Sequence, residues 1–490
     1  MKVLLIQPFT ITPAPVLPYL PQEPLGLEYL SAYLKSYSRG TEVRILDCIG
    51  EYWRHHERRS DGQFRVGAHN SQISRVLREF NPDIVGVPLQ FYNQEGAVKE
   101  VVESAKRVNP DVTTVVGGCA ANADPVNLMK RIEAIDVVVM GEGEETLKEL
   151  ADGLPLDQVK GILYRHPRYG QMRNEPRPYI DIDTIPFPDR RAAPFDVYSL
   201  SFMTGRLRDR LRVFELWYQY NRDWPTFKDV LMTSRAKSPP KVAAFLTARG
   251  CPYNCYFCSS QNVWQRKHRQ RSVHKVLIEM AYLYTEFGVR TFHSMDDNFN
   301  VNEKWVREFC QAIIETGWQI ELRFQSGVFP KMSRETLVLL KAAGLKDIIF
   351  GIESGNQRVL DEVIKKPINL KHVEQIINWC HEIGITCGGF FVIGTPGEKL
   401  SEMQDTIDFC LNSGIDRVRL YMCQPMIGSK VYDDCVKNGW LDKFDPAKSL
   451  VVGPDSFIKT PDFTPEQVMS LCAAGREALR KKKKLYQKKS

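Results

Sequence analysis

The chain has 490 residues, of which 43% are hydrophobic and 26% charged, a balance that excludes a disordered or fibrous protein and allows two or three domains with cores of their own. No apolar stretch reaches the ~18 residues that span a bilayer, no secretory leader precedes the first strand-like run, and the 12 cysteines suit a reducing cytoplasm. The net charge of +7 sits in the tail, where Arg480, Lys481, Lys482, Lys483, Lys484, Lys488 and Lys489 leave the remainder near neutral. No nucleic-acid partner is expected, and the tail itself reads as a frayed, solvated terminus.

From residue 1 to about 165, short apolar runs alternate with helical patterns, the rhythm of a parallel α/β sheet. Strands are expected at Val3 to Ile6, Val43 to Asp47, Ile84 to Leu89, Val112 to Val116 and Val137 to Met140, with helices at Leu25 to Tyr37, Ser71 to Phe80, Glu95 to Val108 and Glu144 to Ala151. Ligands of such sheets sit at the carboxyl ends of the strands. The loops there carry Gln7-Pro8-Phe9, Gly117-Gly118-Cys119-Ala120 and Gly141-Glu142-Gly143-Glu144, and Pro24-Leu25-Gly26 opens the first helix. Paired glycines let a ligand approach the backbone, although glycine equally starts a tight turn. Together these segments resemble the Rossmann-like, flavodoxin-like cobalamin-binding domain fused ahead of many radical S-adenosylmethionine (SAM) enzymes. The resemblance implies cobalamin contacts from Gln7, Pro8, Gly26, Gly117, Gly118, Glu142 and Gly143. Two departures stand out. No Asp-x-His-x-x-Gly element offers cobalt a histidine, and Val87-Pro88-Leu89-Gln90 replaces the Ser-x-Leu turn.

Residues 166–240 read as a linker, with Pro-rich stretches at Arg173 to Pro188 and Ser234 to Pro240. Between them an insertion from Phe195 to Arg235 places Leu207, Leu211, Phe214, Trp217 and Tyr220 at helical spacing among arginines. A packed helix with a solvated face is the plain expectation; a lid for an amphipathic, lipid-like substrate is the sharper one.

From residue 241 to 430 the strand-helix alternation resumes, with strands at Val242 to Thr247, Thr291 to Met295, Glu321 to Gln325, Ile348 to Ile352, Gly389 to Ile393 and Arg417 to Tyr421. Six such units make a partial (β/α)6 barrel, and residues 431–490 form a helical C-terminus expected to cover its open side. The loop after the first strand runs Arg249-Gly250-Cys251-Pro252-Tyr253-Asn254-Cys255-Tyr256-Phe257-Cys258. Three thiolates this close suit an iron-sulfur cluster that wants four ligands, leaving one iron open. Half of a zinc site is the competing assignment, but the nearby His268 and His274 are not at a spacing that zinc modules favour.

The cysteine spacing, with an aromatic before the last cysteine, resembles the cluster loop of the radical SAM superfamily. Further segments at strand ends follow that family's order: Asp296-Asp297-Asn298-Phe299, Gly351-Ile352-Glu353-Ser354-Gly355 and Gly394-Thr395-Pro396-Gly397-Glu398. The resemblance implies a [4Fe-4S] cluster on Cys251, Cys255 and Cys258, and SAM held by Phe257, Asp296, Asp297, Glu353, Ser354 and Gly394. It further implies cleavage of SAM to a 5'-deoxyadenosyl radical, cobalamin as methyl carrier, and a flavodoxin or ferredoxin as reductant. The expected activity is C-methylation of an unactivated carbon in a small-molecule or lipid-like substrate. Cyclisation or rearrangement with the same cofactors is an alternative, as is a cobalamin-binding sensor without catalysis. A methylthiotransferase fits poorly, because the N-terminal domain offers only Cys48 and Cys119 where that branch needs three cysteines.

Overall fold

The computed structural model describes residues 1–12, 22–198, 241–446, 453 and 455–487. They fall into two compact units, residues 1–243 with 287–289, and residues 244–286 with 290–490.

In the first unit the strands are β1 (Lys2–Gln7), β2 (Thr10–Thr12), β3 (Glu42–Asp47), β4 (His56–Arg58), β5 (Phe64–Val66), β6 (Ile84–Pro88), β7 (Thr113–Gly117), β8 (Val137–Val139), β9 (Ile162–His166) and β10 (Gly170–Arg173). Seven of them form one sheet in the order β10-β9-β8-β7-β6-β1-β3. It is parallel from β3 to β8, and the antiparallel pair β9-β10 extends its far edge. Val3, Leu4, Leu5 and Ile6 are all fully buried, as a strand covered on both faces requires. All five expected strands form, and the helices at Leu25–Tyr37, Glu95–Val108 and Glu144–Ala151 have the expected bounds. Sequence periodicity missed the β9-β10 hairpin, with strands of five and four residues, and a small antiparallel sheet, β2-β5-β4, whose three-residue strands are too short to show a period.

The second sheet runs β11 (Lys241–Phe245), β14 (Val289–Ser294), β15 (Glu321–Val328), β16 (Leu345–Glu353), β17 (Thr386–Ile393), β18 (Arg417–Met422), in that order and parallel in every pair from β14 to β18. The short pair β12 (Ala248–Arg249) and β13 (Arg269–Gln270) brackets the cysteine loop. Helices between the strands start and stop on local chemistry. The helix Leu370–Ile383 begins where Asn369 accepts the His372 amide hydrogen, and ends where Gly384 turns left-handed at φ 77°. Asn302 and Gly317 bound Glu303–Thr316 in the same way.

The C-terminal helix, Pro465–Gln487, packs against the outer side of β18. Gly475 leaves room for Ile407 and Leu420, and Arg476 donates to the Leu420 carbonyl at 2.8 Å. The backbone stays helical to Gln487, so the basic tail is not frayed over the described part. Of the segment 195–235 only the turn Phe195–Tyr198 is described; the helix and lid expected around Leu207 to Tyr220 lie outside the described residues.

Candidate functional site

The cysteine loop leaves β12 at the carboxyl end of β11, the end at which barrel ligands gather. Gly250, at φ 86°, must be glycine: a Cβ there would lie 2.1 Å from the Lys267 carbonyl oxygen. The loop is braced from three directions. The Tyr256 amide donates to Ile364 O at 3.0 Å, its carbonyl accepts from Val431 N, and its hydroxyl donates to Asp434 at 2.7 Å. Tyr253 stacks on Phe329, with ring centroids 4.2 Å apart and planes 11° off parallel.

Cys251, Cys255 and Cys258 are free thiols of intermediate exposure on this one loop. Burial pushes the Cys255 thiol up to about 12, against the pull of the Lys366 ammonium. Three half-buried sulfurs on a braced loop fit the cationic iron-sulfide core of a cluster, which would stabilise the thiolates that burial disfavours. Phe257 lies half-exposed between the second and third of them.

The carboxylates divide in a way that the sequence did not reveal. Asp296 is buried, and its oxygens accept from Thr247 N at 2.7 Å, Ala248 N at 2.8 Å, Thr247 Oγ1 at 2.7 Å and Ser294 Oγ at 2.8 Å. With both oxygens saturated it anchors the root of the cysteine loop, and the expected SAM contact is corrected accordingly. Asp297 is exposed and accepts the Gly250 amide at 3.0 Å, so it stays next to the loop with a surface turned to solvent.

Glu353 ends β16 with a left-handed backbone at φ 73°, a strained geometry for a residue other than glycine. Its Oε1 accepts from Lys366 Nζ at 2.8 Å, and the same ammonium donates to the Gly351 carbonyl at 2.6 Å. Gly351 makes this possible, since a Cβ would stand 2.7 Å from the carboxylate and 2.8 Å from the ammonium. Lys366 escaped the sequence analysis because it follows Glu353 by 13 residues, across a π-helical turn at Val359–Ile364. Such turns recur at functional sites, but this one is visible only in the folded backbone.

Ser354 is fully buried, with its hydroxyl 3.0 Å from Thr406 Oγ1 and accepting the Asn356 amide at 3.1 Å. It holds the loop after β16 together, a correction to the contact with SAM. At Gly394, φ 81°, a Cβ would meet Val468 of the C-terminal helix at 2.8 Å, so packing and backbone already require glycine there. Glu398, absent from the expected set, is buried and accepts from Gly394 N at 2.8 Å and Thr395 N at 3.0 Å. Burial raises its carboxyl to about 8.

In the first unit, Gln7 is half-exposed and Pro8 buried where β1 ends. Gly118 lies at φ 109°, and a Cβ there would come 2.6 Å from Leu89 O, whereas Gly117 has ordinary packing. Asn122, not foreseen, ties two glycine loops together: its Oδ1 accepts the Gly141 amide at 2.6 Å and its Nδ2 donates to Gly118 O at 2.9 Å. Glu142 is buried and accepts the Ile180 amide at 3.2 Å, and Gly143 sits against Leu30. Gly26 differs from all of these. It lies in the first helical turn, its backbone needs no positive φ, and a Cβ would touch nothing within 4 Å among the described residues. Neither packing against the described residues nor the backbone explains that glycine. The loops thus fit a large ligand through backbone and space rather than through charged side chains.

Comparison with known proteins places both units. The profile of the radical SAM superfamily matches residues 245–410, and that of the B12 binding domain matches residues 18–151. The chain is 33% identical over 443 residues to cytidylyl-2-hydroxyethylphosphonate methyltransferase of Streptomyces wedmorensis, covering 87% of this chain and 80% of that protein. An uncharacterized methyltransferase of Pyrococcus horikoshii is 30% identical over 475 residues, covering 96% and 90%. Among solved structures, the radical SAM methyltransferase TsrM from Kitasatospora setae, with cobalamin and a [4Fe-4S] cluster bound, superposes with a TM-score of 0.64 at 19% identity, covering 89% of this chain and 75% of that one. At that identity the match speaks to the fold alone.

Proposed function

The chain belongs to the family that joins a B12-binding domain to a radical SAM domain, and from that premise we propose that it methylates an unactivated carbon of a small-molecule substrate. Its cofactors are a [4Fe-4S] cluster, SAM and cobalamin. When bound, they supply a 5'-deoxyadenosyl radical and a methyl group.

The observation that carries the proposal is the braced loop with three free thiols at the strand ends, beside a buried Glu353–Lys366 pair. Cys251, Cys255 and Cys258 would hold three irons and leave the fourth for SAM. Asp297 would face the SAM amino group, Glu353 the ribose hydroxyls, and Phe257 the adenine. Lys366 adds a fixed cation beside Cys255, suited to a carboxylate or to the negative cluster. In residues 1–165, Gln7, Pro8, Gly26, Gly117 and Gly118 would border cobalamin, with Glu142 and Gly143 as the frame of the third loop. Residues 241–430 would carry the radical chemistry. A low-potential flavodoxin or ferredoxin would deliver the electron in the cytoplasm. Among the described residues no helix is long and apolar enough to cross a membrane.

The test uses anaerobically reconstituted protein with a low-potential reductant, methyl-deuterated SAM and a small-molecule extract as substrate source. Formation of 5'-deoxyadenosine, S-adenosylhomocysteine and a deuterium-labelled product is expected. Formation of 5'-deoxyadenosine with an unlabelled, altered product would replace methylation by rearrangement.

A further inference from the structure

The second sheet has a polar inner face. On β15, Glu321, Arg323 and Gln325 alternate with the buried Leu322 and Phe324. Strand register carries the inner face to Asp347 on β16, Phe390 on β17, and Arg417, Arg419 and Tyr421 on β18. Side-chain contacts show that these residues share one space. Asp347 accepts from Gln325 Nε2 at 2.8 Å and lies 3.7 Å from Arg323 and 3.9 Å from Arg417. Gly327 leaves out a Cβ that would meet the Phe390 ring at 3.3 Å.

Among the described residues, the charges in this space do not cancel. Asp347 and Glu321 engage Arg323 and Arg417, yet Arg323 Nε is buried without an acceptor. Arg419 has no carboxylate within ion-pair distance among the described residues; its guanidinium stands 5.7 Å from the centre of the Phe390 ring. Tyr421 lies 5.9 Å from the same ring, tilted by 31°. His293 adds no charge near neutral pH, because burial, and then Arg323, push its imidazole down to about 4. A guanidinium is matched to carboxylate and phosphate oxygens and also stacks on flat rings. An apolar, lipid-like substrate would desolvate Arg419 and give it nothing in return.

We infer that this lumen selects a substrate in which a planar ring is joined to an anionic group, the ring against Phe390 and Tyr421 and the anion at Arg419. The inference rests on the assignment of this sheet as the radical SAM barrel, and it adds the substrate class. Phosphate and carboxylate groups share the required chemistry.

The experiment is equilibrium dialysis of the full-length holoenzyme, reconstituted with cluster, hydroxocobalamin and SAM. One arm compares CMP, UMP, AMP and GMP with their nucleosides, and the other compares protoporphyrin IX with its dimethyl ester. At least one anionic probe should bind about tenfold or more tighter than its uncharged counterpart, as hydrogen bonds to charged groups imply. Arg419→Gln should abolish that ratio and Arg419→Lys should keep part of it, with the cluster absorbance unchanged in both variants. Binding that ignores the charge of every probe, binding of no probe, or an unchanged ratio in Arg419→Gln would overturn the inference. Release of 5'-deoxyadenosine from the same samples after a low-potential one-electron reductant is added separates the two ideas. Charge-selective binding without SAM cleavage would refute the proposed function alone, and SAM cleavage without charge selectivity would refute the substrate class alone.

Discussion

The two large sheets of this protein are built from similar parallel strands but treat their faces differently. In the first, β1 is buried on both faces, from Val3 to Ile6, so side chains serve packing and any ligand is confined to the strand ends. In the second, β15 to β18 bury one face under helices and turn Arg323, Gln325, Asp347, Phe390 and Arg419 to the other. The first sheet therefore offers glycine loops and backbone at its rim, and the second offers side-chain chemistry along its interior as well. A carrier domain needs only the former, whereas a domain that must hold a reactive cofactor and a substrate together needs the latter.

That contrast can be broken most severely at Leu5, fully buried in the middle of the first sheet. Leu5→Asp should cost more than about 4 kcal/mol and leave no soluble folded protein, measured by expression and circular dichroism. A soluble, folded Leu5→Asp variant would mean that the first sheet has a wet face after all.

Next is Lys366→Met at the upper end of the second sheet. It leaves Glu353 buried without its cation and should cost about 3–5 kcal/mol in urea unfolding of the cluster-free protein. The double variant Lys366→Met/Glu353→Gln should recover most of that loss; failure to recover would show that the pair is not a closed electrostatic unit.

A smaller effect is expected at Glu398, through pH. Its carboxyl is raised from 4.5 to about 8 in the folded protein by burial. Between those values the unfolded chain has released a proton that the folded one retains, so this group makes stability fall as pH rises from about 5 to about 8, and adds no slope above. Glu398→Gln keeps an oxygen for the Gly394 and Thr395 amides and should remove up to about 1.4 kcal/mol of slope per pH unit in that window. Thermal unfolding across pH 5 to 9 checks this, and an unchanged slope would assign it to another group.

The smallest effect belongs to Arg417, which lines the lumen, is partly exposed, and lies 3.9 Å from Asp347. Arg417→Gln should shift stability by less than about 1 kcal/mol, the opposite extreme from Leu5→Asp. A larger loss would make the lumen a load on folding rather than a space for a ligand.

Much of this contrast could be seen in the residues. Continuous apolar runs such as Val3 to Ile6 marked strands covered on both sides, and three cysteines within eight residues marked the cofactor loop. What stayed hidden depended on direction and register. Asp296 and Asp297 are neighbours in the chain just past the end of β14, yet Asp296 is buried with four donors from Thr247, Ala248 and Ser294, whereas Asp297 accepts the Gly250 amide and keeps exposed surface, a division that spacing alone does not announce. Ser354 and Gly394 sit in segments that resemble a cofactor site but are held by Thr406 and Val468, contacts that only the packed helices create. Lys366 depends on a π-helical turn that no periodicity announces, and the lumen arginines come together only through the pairing of β15 with β16 and of β17 with β18.

The central claim is that Cys251, Cys255 and Cys258 hold a cluster whose remaining iron is open to SAM. Electron paramagnetic resonance of the reduced, reconstituted protein, with and without SAM, tests it most directly. A [4Fe-4S] signal that shifts its g values on adding SAM, and that is absent in Cys255→Ala, is the predicted result. A signal indifferent to SAM, or one that survives loss of Cys255, would contradict it.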